Sequence, residues 1–214
     1  MPIKCGFIDE KGTIIHRFSF PIDKTKNQDG VVEELVEAIG MAVEESGFDK
    51  ASFSGVGIGC PGSINSIKGT CDYSDNLGWS HLDICAKIIS KTPLKCQAAN
   101  DANCAVIGEA LFDLGKGYKN LVMLTLGTGV GGGLYLNGQF YEGKEGKGAE
   151  LGHSLLMIDG WSCTCGRKGC LEAYCSASAL IDDTKAAMKE NLESLMWPSC
   201  ENDLAKAGGR TAFE

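Results

Sequence analysis

Between Glu150 and Glu172 the chain reads Glu150-Leu151-Gly152-His153 and then, ten residues on, Cys163-Thr164-Cys165-Gly166-Arg167-Lys168-Gly169-Cys170-Leu171-Glu172. His153, Cys163, Cys165 and Cys170 supply one imidazole and three thiolates, a closed tetrahedral set suited to structural Zn2+. Four protein ligands leave no open position for water or substrate, so such a metal holds a loop still and does no catalysis. What it holds matters: Glu150, His153 and Glu172 become fixed donors and acceptors in one place. Gly166 and Gly169 ease the turn. The bland alternative, free buried cysteines near a surface histidine, leaves unexplained a Cys-x-Cys pair followed by a third Cys five residues later.

A second chemistry-bearing stretch is Gly127-Thr128-Gly129-Val130-Gly131-Gly132, which has the letters of the dinucleotide fingerprint G-x-G-x-x-G. That fingerprint needs a helix after the loop. Here Gly133-Leu134-Tyr135-Leu136-Asn137-Gly138 follows, which reads as a strand and a turn, and the Gly-Lys-[Ser/Thr] of a Walker loop is absent. A strand-loop-strand rich in Gly and Thr still suits phosphate, through accessible backbone amides and hydroxyls. The predicted contacts are Thr125, Gly127, Thr128, Gly129, Gly131 and Gly132. Asp101 is the candidate general base, since phosphoryl transfer to an alcohol needs a carboxylate that accepts the hydroxyl proton. Asn100 beside it can orient the same ligand, although an Asn-Asp pair ahead of a helix also reads as an N-cap. Asn76, in Ser74-Asp75-Asn76-Leu77-Gly78-Trp79, offers a paired donor and acceptor on a loop; Trp79 reads as a packing anchor. Amides and carboxylates in this proportion suit a polyhydroxylated ligand, each hydroxyl of which donates and accepts.

The elements that must position these residues are legible from periodicity. Ile3 to Asp9 and Thr13 to Phe20 read as strands joined at Glu10-Lys11-Gly12. Val31, Leu35, Ile39 and Val43 recur every four residues, predicting a helix from Gln28 to Glu45. A short strand, Phe53 to Gly59, ends in the turn signal Cys60-Pro61-Gly62. Leu82 to Ser90 reads as a helix, Leu94 to Ala98 as a strand and Ala102 to Phe112 as a helix. Asn100 and Asp101 thus fall at the carboxyl end of a strand in a layered α/β sheet, the usual place for ligand contacts. Asn120 to Leu126 reads as a strand, Leu134 to Tyr141 as a hairpin split at Asn137-Gly138, and Ser178 to Lys189 as a helix.

Composition bounds the function classes. The 214 residues carry a net charge of -8 with no basic stripe, which argues against a nucleic-acid footprint. The first ten residues contain no apolar signal core and no run approaches a membrane span. Eleven cysteines without an export signal point to a reducing, cytoplasmic setting. Apart from the zinc set they read as small core residues.

Several stretches together resemble the ROK family of sugar kinases and sugar-responsive repressors. They are Gly57-Ile58-Gly59-Cys60-Pro61-Gly62, Asn76-Leu77-Gly78-Trp79, Asn100-Asp101-Ala102-Asn103, the run from Leu124 to Gly133, and the whole zinc segment, in the family's order. The resemblance implies an α/β fold of the hexokinase and actin-like ATPase (ribonuclease H-like) kind, two lobes with a sugar cleft between them. It implies a small N-terminal lobe over residues 1–105 and a partial larger lobe over 106–214. It further implies ATP-dependent phosphorylation of a hexose, glucose first, at its 6-hydroxyl, with ATP and Mg2+ as co-substrates. Asp101 is then the base; Gly62, Asn76, Asn100, Asp101, Glu150, His153 and Glu172 contact the sugar, and His153 serves the zinc as well. A homodimer is implied too. An N-acylmannosamine or other hexose kinase is the nearest variant, and an inactive sugar-binding or regulatory remnant is the reading of another class. The usual Asp-x-Gly-Gly-Thr phosphate loop is not in the sequence, and family chains extend past the residues at its end. The expectation is therefore a chain truncated at both ends, with an N-lobe sheet that lacks an inner strand and exposes unpaired edges.

Overall fold

The structure is a computed structural model that describes residues 2–21, 23, 25–92, 94–146 and 148–213. It divides into two compact units, one of Met1–Leu121 with Leu134–Gly148, the other of Val122–Gly133 with Ala149–Glu214.

The first unit opens with an antiparallel hairpin, β1 (Ile3–Ile8) and β2 (Ile14–Phe20), with an irregularity at Phe7/Ile8. Helix α1 (Gln28–Ser46) follows, capped by Asn27, whose side chain accepts the Gly30 N–H at 2.9 Å, and closed by Gly47 at φ 70°. The cap satisfies an otherwise orphan donor, and the left-handed Gly ends the helix without a Cβ clash. Val31, Val32 and Leu35 on its inner face enter one core with Ile64, Trp79, Leu82, Ile84 and Ile88. Strands β3 (Gly55–Cys60) and β7 (Lys95–Asn100) pair in parallel, Gly55 opposite Lys95 through Cys60 opposite Asn100. Between them in sequence lie β4 (Ser63–Asn65), β5 (Thr70–Ser74) and β6 (Trp79–Leu82), a separate antiparallel sheet, and helix α2 (Ile84–Lys91). Helix α3 (Asp101–Phe112) begins where β7 ends.

The strand-helix-strand reading of this region holds to within about two residues at each boundary, while β4, β5 and β6 were not anticipated and one residue changes element. Leu82 is not the start of a helix but the buried end of β6, 1% exposed. Asn76 lies in a single 3-10 turn, Asp75–Leu77, that joins β5 to β6. Trp79 is 6% exposed within the core, a packing anchor as expected. Among the described residues β1 pairs only with β2, and β3 only with β7. A groove of about 850 Å³ follows the amino-terminal ends of β3 and β7, from Ser54 to Gln97, at the far end of those strands from Asn100.

Strand β8 (Leu121–Leu126), the glycine loop and β9 (Val130–Leu136) lead into β10 (Gln139–Tyr141), a sheet ordered β10-β9-β8. Asn137 and Gly138, at φ 54° and 78°, form the tight turn that Asn-Gly predicts. The second unit continues through the cysteine segment to α4 (Glu172–Cys175), α5 (Ala177–Glu190) and α6 (Met196–Ser199). Met188, Cys200 and Ala207 make a small core there with Met196, Trp197 and Leu204.

None of the eleven cysteines is in a disulfide. Cys60, Cys71, Cys85 and Cys200 are buried, and burial, reinforced by neighbouring Cys71, Asp101 and Cys104, pushes the Cys60 thiol up to about 12. Cys175 departs from the expected core role: it is exposed. No helix among the described residues is long and apolar enough to cross a membrane.

Candidate functional site

In the first unit the site residues gather at the carboxyl ends of β3 and β7. Asn100 is the last residue of β7 and the N-cap of α3. Its Oδ1 accepts the N–H groups of Ala102 at 2.9 Å and Asn103 at 3.3 Å, and its Nδ2 donates to the Gly62 carbonyl at 3.0 Å. The amide therefore works structurally at both ends, with a second N–H on Nδ2 still available to a ligand. Because Asn100 is the cap, Asp101 is the first helical residue, and its carboxylate is exposed. One oxygen accepts the Ala102 N–H at 2.9 Å; the positive end of α3 suits its charge.

Gly62 has φ 105°, and a Cβ there would collide with the Tyr73 carbonyl and approach Ser74 Cα to 2.8 Å. The close approach draws the end of β5, and so the turn that carries the exposed Asn76, beside the Gly62–Asn100 bond. Gly62→Ala is expected to destabilise the protein by about 2–4 kcal/mol, combining a strained left-handed residue with overpacking. Gly57→Ala, where a Cβ meets nothing within 4 Å, should stay within about 0.5 kcal/mol of the parent. Urea unfolding of both variants checks the contrast; equal midpoints would show that the Gly62 approach relaxes freely.

In the second unit the ligand atoms of His153, Cys163, Cys165 and Cys170 all lie within 4.8 Å of one another. Cys165 Sγ and Cys170 Sγ are 3.7 Å apart, and Cys163 Sγ is 3.6 Å from His153 Nδ1. Bonds of ~2.3 Å to sulfur and ~2.0 Å to nitrogen make tetrahedral edges of roughly 3.8 and 3.5 Å, so donor types and spacing both fit Zn2+. The fold of this segment explains the convergence. Cys163 N–H donates to the Arg167 carbonyl at 2.8 Å and Gly166 N–H to the Cys163 carbonyl at 3.0 Å, closing a turn that Gly166 passes at φ 85°. Bridges Leu155–Cys170 and Ser162–Lys168 hold its stem, Arg167 donates to the His153 carbonyl at 3.2 Å, and Trp161 stacks on Tyr174 at 4.6 Å. The backbone N–H of Arg167, then its guanidinium, brings the Cys165 thiol down to about 6. With Nδ1 turned to the cluster, His153 presents Nε2 as a separate donor.

The glycine loop is held from two sides. Gly127 N–H closes on the Gly129 carbonyl at 2.9 Å. The Gly127 carbonyl accepts the Ala177 N–H at 2.8 Å and the Thr128 carbonyl the Ser178 hydroxyl at 2.8 Å, both from the start of α5. In a trans peptide C=O and N–H point oppositely, so the Thr128 and Gly129 N–H groups point away from the α5 groups that hold those carbonyls. Accessible backbone amides of this kind are what a glycine-rich anion site uses. Thr125 sits in β8, half-buried, just ahead of the loop. Gly131 lies within β9, and at Gly132 a Cβ would press within 2.6 Å of the Ala149 carbonyl and Leu151 Cβ. Gly152 likewise leaves no room for a Cβ against the Val130 carbonyl. Glu150, exposed, precedes the turn Leu151–His153 and accepts the His153 N–H on its carbonyl at 3.0 Å.

Glu172 differs from the expectation of a simple ligand contact. Its Oε2 accepts the Val130 N–H at 2.9 Å, and its Oε1 accepts the Thr164 hydroxyl at 3.1 Å. Thr164 carries no motif of its own in the sequence; its place between two cysteines of the metal-ready set is the available signal. A carboxylate has about four lone-pair sites, so these bonds do not exhaust Glu172.

A parallel strand pair feeding a capped helix, a strand-loop-strand glycine motif and a metal-ready cysteine knuckle define an α/β protein with the actin-like ATPase fold of sugar kinases. The chain belongs to the ROK family, whose profile matches residues 2–202. It is 35% identical over 193 residues to a glucokinase of Thermotoga maritima, which covers 90% of this chain and 59% of that protein. A ROK family glucokinase from Streptomyces griseus, solved with glucose and AMPPNP, superposes with a TM-score of 0.80 at 30% identity, over 98% of this chain and 66% of the other. A xylose repressor of Caldicellulosiruptor bescii is 28% identical over 86% of this chain and 49% of its own length. The chain thus spans less than two thirds of either curated relative.

Proposed function

We propose that this chain carries the sugar-phosphorylating machinery of a hexose kinase, transferring the γ-phosphoryl group of ATP to the 6-hydroxyl of a hexose, glucose first. The observation that carries the reading is an exposed carboxylate, Asp101, set at the first position of α3 by an Asn100 cap, in a chain 35% identical to a glucokinase. Asp101 accepts the proton of the sugar hydroxyl as its oxygen bonds to phosphorus and ADP leaves. Asn76, Asn100 and the Gly62 backbone orient sugar hydroxyls on the side of Asp101. Glu150, Glu172 and the Nε2 donor of His153 are further sugar contacts. The N–H groups of Thr128 and Gly129, with Gly127, Gly131, Gly132 and the Thr125 and Thr128 hydroxyls, bind phosphate. Mg2+ accompanies ATP as co-substrate and neutralises phosphate charge.

One Zn2+ per chain is held by His153, Cys163, Cys165 and Cys170 and is structural, because the donor set is closed. A homodimer is part of the same reading, by family likeness. Another hexose or an N-acylmannosamine is the nearest alternative substrate. A sugar-binding regulator without turnover is the second reading, favoured by the likeness to a xylose repressor; the net charge of -8 weighs against nucleic acid as its partner. The test is a coupled assay of this chain with ATP, Mg2+ and a panel of hexoses. Sugar-dependent ADP release supports the kinase. A sugar that raises the melting temperature with no ADP release supports the regulator.

A further inference from the structure

Two segments far apart in sequence meet at one carboxylate. Glu172 Oε2 takes the Val130 N–H from the edge of the glycine loop, and Glu172 Oε1 takes the Thr164 hydroxyl from the cysteine turn. Cys163 Sγ also lies 3.6 Å from Oε1. Thr164, between Cys163 and Cys165, supplies the hydroxyl by which the cysteine turn holds Glu172.

We propose that Thr164 and Glu172 are positioning residues that transmit the order of the metal-bound turn to the glycine loop. Thr164 fixes the rotamer of Glu172, and Glu172 fixes Val130 N–H and with it the path of Gly129. The carboxylate lies directly against the loop, Glu172 Oε2 occupying the space a Cβ on Gly129 would enter. From the other side Ala177 and Ser178 hold the carbonyls of Gly127 and Thr128. With Glu172 released, the loop keeps its α5 anchor and loses the second. Outer-shell partners of this kind orient what they touch rather than react. The inference rests on the cluster being a metal site; its consequence for nucleotide rests also on the loop binding phosphate.

Thr164→Val keeps the side-chain shape, removes the hydroxyl and lies at an exposed position, so it spares the core. Thr164→Ser restores the hydroxyl. In the full chain loaded with Zn2+, Thr164→Val is expected to bind one Zn2+ as the parent does, to speed amide exchange at Val130 about tenfold through loss of one charge-assisted bond, and to weaken AMPPNP. Thr164→Ser should match the parent in all three. Chelation of the parent should speed Val130 exchange as Thr164→Val does. Equal Val130 exchange in the parent, Thr164→Val and the chelated parent overturns the proposal, as does loss of Zn2+ itself in Thr164→Val. Faster exchange with no AMPPNP binding by any protein, parent included, retains the link and removes the phosphate reading of the loop.

Discussion

Asp101→Asn is expected to lower turnover by ~10²–10⁴-fold, the usual worth of a positioned general base. The substitution tests chemistry with little disturbance of the helix. Asn keeps an oxygen for the Ala102 N–H that Asp101 Oδ1 now accepts, and the cap itself belongs to Asn100. What is lost structurally is a negative charge at a helix start, worth about 0.3–1 kcal/mol at an exposed site. Sugar binding should therefore survive while ADP release collapses. The check is the coupled assay beside a thermal melt with and without glucose. Turnover equal to the parent would remove Asp101 from the role of base. A large fall in melting temperature with loss of the glucose shift would assign it to the fold instead.

Metal removal carries the second large effect. Freshly purified protein should contain one Zn2+ per chain, and chelation should lower the melting temperature on the order of 10 °C, because metal-binding free energy is folding free energy for such a segment. The loss should be local and optical. Trp161 stacks on Tyr174 and its backbone N–H donates to the Tyr174 hydroxyl at 2.8 Å, a geometry that hangs on the cysteine turn through Gly169 N–H and the Trp161 carbonyl. Near-ultraviolet dichroism from that pair should fade before the buried Trp79 in the other unit reports anything. Absence of metal by elemental analysis, with an unchanged melt after chelation, would dismiss the zinc assignment.

The extent to which the sequence disclosed this protein follows from the range of the interactions involved. Helix α1 was visible because Val31, Leu35, Ile39 and Val43 repeat at helical spacing. The β9–β10 turn was visible because Asn137-Gly138 has few other uses. The four metal-ready side chains lie within one short segment, so their convergence is a local matter. Strands β4, β5 and β6 escaped notice, since Ser63–Asn65 is only three residues long and Thr70–Ser74 is largely polar. They are held as strands by pairing with one another, not by propensity. Leu82 was misread for the same reason: its apolar character fits either neighbour, and only the register Cys71–Leu82 decides. The bond between Glu172 and Val130 spans 42 residues, and no pattern in the sequence marks it. Asn100 shows the intermediate case, where the N-cap was legible but the Gly62 carbonyl under its amide was not.

The parallel register of β3 with β7 also sets the order in which the first unit can fold. The β1–β2 hairpin closes through a short turn, and α1 forms from its own neighbours. Cys60 and Asn100 must instead meet across the whole β4-β5-β6 sheet and α2, and a parallel pair offers no hairpin from which to zip. Such long closures yield contacts only after their entropy has been spent, which makes them slow. The Asn100–Gly62 bond is therefore expected to form late in folding. A nascent chain is expected to acquire its hairpin and first helix before β7 is paired and Asp101 is set in place.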